Sequence, residues 1–361
     1  MDALSTKNNS GRDANTDLVR ALAIGLIMVH HIAQFLTGLP EWVHAYARLG
    51  AYGVDLFFVL SGWLIGGLYW KELERNKSVE IVRFWFRRWL RTVPPYLFIL
   101  PIAYLAVNLS RGEVFDFRYL LFLQNYETKI PFFLISWSLC VEEHFYFFLP
   151  LVLLFTTRIK IRPIVFLPIL ASMSLLFRIV DPLAVPNSSF GYAETATHIR
   201  FEGLVIGVWL AYVNIKNLNL WLVLQKLSRY CFSPMILGYL TIPNWPQNYI
   251  YYFSYVYMAM TWAVVLVALL SIATLKISLF PSVQKTALWS YSIYLTHSLV
   301  IHICVNLADR LNINRETTLP FWVVSIFSVG FIVYKFVEVP SMNFRDRFVP
   351  RRGFNIGSKT L

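Results

Sequence analysis

The chain has 361 residues, of which 57% are hydrophobic, 17% aromatic and only 14% charged. Soluble domains carry roughly 25% charged residues, so this composition excludes an ordinary soluble enzyme, and apolar runs recurring from end to end mark an all-α polytopic integral membrane protein. The net charge of +12 falls between those runs, which reads as positive-inside topology and not as a surface for nucleic acid.

In chain order, the polar start Met1 to Asn15 has no short apolar core followed by small residues, so no cleavable signal is expected. Spans are expected near 18–38, 50–70, 92–110, 144–157, 163–180, 200–215, 231–245, 250–273, 287–308 and 319–337, a bundle of about ten transmembrane helices. On that topology 24 of the 32 Lys and Arg share the side of the two termini. Both termini are therefore expected in the cytoplasm. The organisation reads as a polar N-terminus 1–16, a transmembrane domain 17–343 and a basic tail 344–361. The longest segments expected outside the membrane are 71–91, 111–143 and 181–199. Asn187-Ser188-Ser189 matches a glycosylation sequon, a pattern too common to carry weight. Gly62 and Gly66, then Gly203 and Gly207, form small-xxx-small pairs of the kind that lets helices approach closely. Cys140, Cys231 and Cys304 are isolated, so neither a metal site nor a disulfide is expected.

Four segments carry polar chemistry into this apolar frame. In the first, Arg20 and His31 lie eleven steps apart, which on a helix is three turns plus ~20°, one face and ~16 Å of rise. His30 is about 100° away and is expected to face elsewhere. An ionisable group in a membrane segment is costly and is a functional candidate by default. A buried neutral imidazole suits a general base or an acyl-accepting nucleophile. The second is the run Phe84 to Arg91, whose Arg87, Arg88 and Arg91 are spaced to point together from a helix. It reads either as an interfacial Arg and Trp belt or as a phosphate clamp. The third, Trp137 to Tyr146, places Glu142, Glu143 and His144 at the edge of a short apolar run, where a carboxylate could orient an imidazole. The fourth, Gly53 to Gly62, contains Asp55 inside a span, where it requires a partner; Arg48, His30 and His31 are the candidates.

Taken in order, these segments resemble the membrane-bound acyltransferase 3 family, whose members O-acylate sugars at bacterial surfaces. The family's first-helix pattern is matched by Asp17, Arg20, Ala21, Ala23 and His31. Its second-helix pattern is matched from Gly53 through Asp55 and Ser61 to Gly62. Its basic motif is matched by Arg87, Arg88, Arg91 and Pro94. Its Trp-Ser-Leu-Ser-Val-Glu segment corresponds to Trp137, Ser138, Leu139, Cys140, Val141 and Glu142, followed by Tyr146 and Pro150. Arg200 to Gly203, Ser290 to His297 and Phe336 to Pro340 extend the match. The departures are Val19, Cys140, His144 and Trp63, of which His144 adds a titratable group beside Glu142.

The resemblance implies transfer of an acyl group, acetyl by preference, from cytoplasmic acyl-CoA to a hydroxyl of a cell-surface or lipid-linked carbohydrate such as the O-antigen of lipopolysaccharide. Acetyl-CoA would be a substrate, with no bound cofactor and no metal. It implies a bacterial inner-membrane location, a lipid bilayer environment and polysaccharide-assembly partners. The resemblance covers the membrane domain, so a stand-alone membrane domain, without the esterase-like domain that some members carry, is expected. By this resemblance His31, Glu142 and Arg20 would be catalytic. Arg20, Arg87, Arg88 and Arg91 would bind acyl-CoA. Asp17, Asp55, Ser61, Trp137, Ser138, Glu143, Tyr146, Tyr294 and His297 would support the site. Glu142 would fix the His31 imidazole. Two rival classes are a transporter of acyl groups or glycolipid and a non-catalytic membrane partner in polysaccharide assembly.

Overall fold

The computed structural model describes residues 13–181, 191–272 and 281–350. The Asn187 sequon, most of the polar N-terminus and the tail beyond Pro350 lie outside the described residues. The elements are α1 (Ala14–Ala33), α2 (Glu41–Arg48), α3 (Gly53–Asn76), α4 (Ile81–Arg111), α5 (Trp137–Arg158), α6 (Pro163–Val180), α7 (Tyr192–Thr195), α8 (Glu202–Lys216), α9 (Leu218–Thr241), α10 (Gln247–Ser271), α11 (Pro281–Arg310), α12 (Leu319–Val333) and α13 (Val339–Phe348). No strand occurs among the described residues. The all-α membrane architecture follows from the sequence, because only helices satisfy the backbone of an apolar run in lipid.

Eight helical stretches among the described residues are long and apolar enough to cross a membrane. Two of the expected spans, 200–215 and 231–245, are not among them. The first is α8, whose 15 residues rise only about 22 Å against a hydrocarbon slab of about 30 Å. The second falls in α9, which begins earlier, at Leu218, and carries Lys226 and Arg229. The segment 71–91, expected outside the membrane, is also largely helix. It continues α3 to Asn76, turns at Lys77 with φ 59°, and starts α4 at Ile81. The basic motif therefore sits on the first turns of a long helix.

That helix contains Pro94, Pro95 and Pro101. A proline inside a helix leaves the carbonyl four residues earlier without its amide donor. For Pro94 that carbonyl is Leu90 O, and the Ser341 hydroxyl from α13 donates to it instead. Nearby, Tyr291 of α11 donates to Thr92 O at 2.6 Å. Side chains from two other helices thus stabilise the stretch that carries Arg87, Arg88 and Arg91.

The centre of the bundle is the contact of α3 with α8. The two glycine pairs face each other. A Cβ on Gly62 would stand 2.0 Å from Leu204 O, and one on Gly207 would stand 2.1 Å from Val59 O. No side chain fits between these backbones, so the small-xxx-small spacing is a packing device here. α1 packs between α3 and α11, and α12 lies against α11. Replacing Gly207 by Val should push the two helices apart and cost about 1–3 kcal/mol or more. Thermal unfolding of the detergent-purified protein should show this as a clear drop in midpoint. Gly67→Ala, with nothing within 4 Å of the added Cβ, should leave the midpoint in place.

Candidate active site

Two cavities lie along the inner faces of α1, α3 and α11. The smaller, of about 100 Å³, is lined by Arg20, Ser61, Arg88, Arg91, Glu142 and Tyr291, among others. We call it the arginine chamber. Arg20 donates to Asp17 Oδ1 at 2.8 Å, one helical turn earlier. Arg88 is held by a short chain of hydroxyls. Its guanidinium donates to Tyr146 OH and, at 3.4 Å, to Ser61 Oγ, and its ring contact with Tyr146 is 4.1 Å from guanidinium carbon to centroid. Tyr146 OH in turn donates to Glu142 Oε2 at 2.9 Å, which stands 4.0 Å from Arg88 itself. Arg91 lines the same chamber and makes no hydrogen bond or ion pair among the described residues. Glu143 is buried and accepts from Thr92 Oγ1 at 2.6 Å, which keeps it on the wall of α4.

The larger cavity, of about 1160 Å³, contains His31 and His30 and is bordered by Asp55, Trp137, Arg200 and Tyr255. This is the histidine chamber. The His31 ring lies 5.0 Å from that of His297 and the His30 ring 4.9 Å from that of His31. Asp55 pairs with Arg200 at 3.0 Å, both almost fully buried. The Arg200 guanidinium is stacked over Tyr255 at 3.7 Å and over Trp137 at 4.8 Å. Among the described residues, only Val54 and Tyr294 line both chambers. Ser138 sits 2.6 Å from Tyr294 OH, which donates to Ile135 O at 2.9 Å, so this partition is pinned to the start of α5.

The structure thus gathers most of the expected residues, but not as one cluster. Glu142 is engaged with Tyr146 and Arg88 in the arginine chamber, and His31 lines the other one, so no contact between Glu142 and the His31 imidazole is present among the described residues. Arg87 does not join Arg88 and Arg91. It points to α13, where it pairs with Asp346 at 3.0 Å and donates to Val349 O. Its partners on and after α13 hold it there, since helix spacing alone sets Arg87 and Arg88 at similar angles from Arg91. His30, expected to face elsewhere, borders the same chamber as His31, because a cavity of this size spans the arc between adjacent side chains. The partner of Asp55 is Arg200, not Arg48, His30 or His31. Arg48 pairs instead with Glu41. His144 turns to Thr197 Oγ1 at 2.7 Å and lines neither chamber. Tyr255 and the contact of Tyr291 with Thr92 O were not expected: nothing in the local sequence marks Tyr255, and the match from Ser290 to His297 does not say what Tyr291 touches.

A sequence model of the acyltransferase 3 family, described as an acyltransferase domain, matches residues 13–336. The chain belongs to this family. Among curated proteins, one from Staphylococcus aureus strain MRSA252, provisionally named an O-acetyltransferase, is 25% identical over 377 aligned residues, which cover 93% of this chain and 59% of the relative. The O-acetyltransferase OatA of S. aureus strain NCTC 8325 is 32% identical over 217 residues, 55% of this chain and 34% of OatA. The chain therefore spans less than two thirds of the length of the relatives it matches. No solved structure gives a significant match. Family membership and the apolar helices make this a multi-pass membrane protein.

The Asp55–Arg200 pair permits a direct check of the chamber wall. Asp55→Ala leaves a buried guanidinium without its counter-charge, and breaking such a pair costs about 3–5 kcal/mol. The thermal midpoint of Asp55→Ala should fall sharply. The double variant Asp55→Ala/Arg200→Met should lose less than the sum of the single changes, because it buries no lone charge.

Proposed function

We propose that the protein is an O-acetyltransferase that moves the acetyl group of cytoplasmic acetyl-CoA to a hydroxyl of a cell-surface or lipid-linked carbohydrate. The observation that carries this reading is the pair of chambers, one lined by cations and one by histidines, meeting at Val54 and Tyr294. The O-acetyltransferase names of the relatives supply the group transferred. The excess of Lys and Arg on the terminus side supplies the orientation, with the arginine chamber facing the cytoplasm of a bacterial inner membrane.

In this mechanism Arg88 and Arg91, with Arg20 deeper in, hold the phosphates of the donor, since guanidinium groups match phosphate oxygens and keep their charge. Glu142 acts through Tyr146 and Ser61: it balances Arg88 and fixes its direction. The pantetheine arm passes the partition between Val54 and Tyr294, and the thioester is presented to the histidine chamber. His31 takes the proton of the acceptor hydroxyl as its oxygen attacks the thioester carbonyl. A carbon–oxygen bond forms, the carbon–sulfur bond breaks, and the departing thiolate takes the proton back from His31. The step needs His31 to start as the neutral imidazole. The size of the histidine chamber suits a sugar or a longer glycan as acceptor. Substrates held in two chambers need not cross the bilayer to meet.

The reading is tested by purified protein in detergent with acetyl-CoA and surface polysaccharide isolated from a host deleted for this protein, following CoA release and O-acetyl signals by NMR. His31→Ala should reduce turnover to background. Arg88→Ala or Arg91→Ala should raise the KM for acetyl-CoA about tenfold or more, the loss of one charge-assisted contact. Arg87→Ala, whose side chain is committed to α13, should change that KM by less. Full O-acetylation by His31→Ala would overturn the mechanism, and absence of turnover in the unaltered protein would overturn the activity.

A further inference from the structure

His297 is fully buried on α11, with its ring 5.0 Å from that of His31. Its Nδ1 lies 2.7 Å from Tyr294 O and 3.2 Å from Ile293 O. Carbonyl oxygens only accept, so Nδ1 must carry the proton. The neutral ring then presents a bare lone pair at Nε2. That atom is buried and has no hydrogen-bond partner among the described residues. A buried acceptor left unpaired is destabilising unless something is meant to meet it.

Of the other polar groups around His31, Gln34 and His302 are engaged, while His30 leaves its Nδ1 without a partner among the described residues. Gln34 Nε2 is 2.9 Å from His30 Nε2. His302, further along α11, holds its Nδ1 2.7 Å from Ser298 O, and its ring packs against Phe35. The ring separation between His31 and His297 leaves room for one nitrogen-to-nitrogen hydrogen bond when the edges face each other.

We infer that His297 is the positioning residue for His31, in place of the carboxylate that the sequence pattern suggested. A turn of the His31 ring across the 5.0 Å ring separation brings its N–H onto the free Nε2 of His297 in the working site. This fixes which His31 nitrogen carries the proton and turns the other, lone-pair nitrogen toward the acceptor hydroxyl. When His31 takes the hydroxyl proton it becomes a cation, and the same hydrogen bond from His31 to His297 strengthens. The proton returns to the thiolate, so His297 itself ends each cycle unchanged. The backbone carbonyls of Ile293 and Tyr294 play the part of the third group that orients the base's partner. Because Tyr294 also forms the partition, the turn that locks His297 is the turn past which the thioester must come.

This inference rests on the proposed acetyl transfer, and the assay described above separates the two. His297→Leu fills the space but offers no acceptor; His297→Gln restores an amide oxygen near the Nε2 position. With unaltered protein active on acetyl-CoA and the deletion host's polysaccharide, His297→Leu should lower kcat about 100-fold while its KM for acetyl-CoA stays within about twofold. His297→Gln should regain most of that loss. Thermal midpoints close to that of the unaltered protein in both variants place the effect on positioning, not folding. A Leu variant that keeps its kcat, or a Gln variant that falls as far as Leu, overturns the assignment. Unaltered protein that turns over no acetyl-CoA overturns the transfer reading and this inference with it.

Discussion

The backbone-to-backbone contact of α3 with α8 is the constraint on which the rest of the arrangement depends. Gly62 and Gly207 admit no side chain between the helices, so the position of α3 in the bundle is set by main chain and not by adaptable packing. From that fixed helix Ser61 reaches the Arg88–Tyr146–Glu142 chain, Asp55 reaches Arg200, and Val54 forms part of the partition. Arg200 itself stands just before α8. The contact therefore brings together the two partners of the buried pair as well as the two helices. In lipid, where apolar surface gains nothing by facing protein, close approach of this kind and paired charges do the work that core burial does in water.

The fold class was legible because apolar length and low charge leave a membrane chain little choice. The limits of that legibility have physical causes. Hydropathy marks where a helix is greasy, not where it ends, so α4 was read as starting at 92 although its polar turns begin at Ile81. The helix runs through Pro94 and Pro95 because Ser341, distant in sequence, supplies the donor that Pro94 removes. At the site, spacing placed Arg88 and Arg91 together and the structure agrees. Spacing could not tell Arg87 from Arg88, because the partner that claims Arg87 lies on α13. Asp55 announced that it needed a cation; which one depended on the α3–α8 contact, a tertiary fact. Glu142 and His31 were linked by analogy with triads, and the helices put them in separate chambers.

The network around Arg88 also illustrates how a charge is made usable inside a membrane. Its counter-charge, Glu142, is not in direct bidentate contact but acts through a tyrosine hydroxyl. A tight ion pair would satisfy the guanidinium and remove it from play. A hydroxyl relay holds its orientation while leaving hydrogen-bonding capacity for an incoming anion. Asp55 and Arg200 show the opposite arrangement: direct contact, rings stacked on the guanidinium and little left to offer. In the proposed mechanism, the first pair would serve binding and the second scaffolding.

The partition formed by Val54 and Tyr294 has an electrical meaning. If the arginine chamber opens to the cytoplasm, as proposed, and the histidine chamber to the other face, water would carry each compartment's potential inward, and most of the membrane's voltage drop would fall across the thin wall between them. Moving one elementary charge across 100 mV is worth about 2.3 kcal/mol, so even a modest opening there would be a route for protons. The hydrogen bonds that fasten Tyr294 to Ser138 and Ile135 would then also serve as insulation. On the proposed mechanism, the thioester would pass a door that the membrane voltage requires to stay shut.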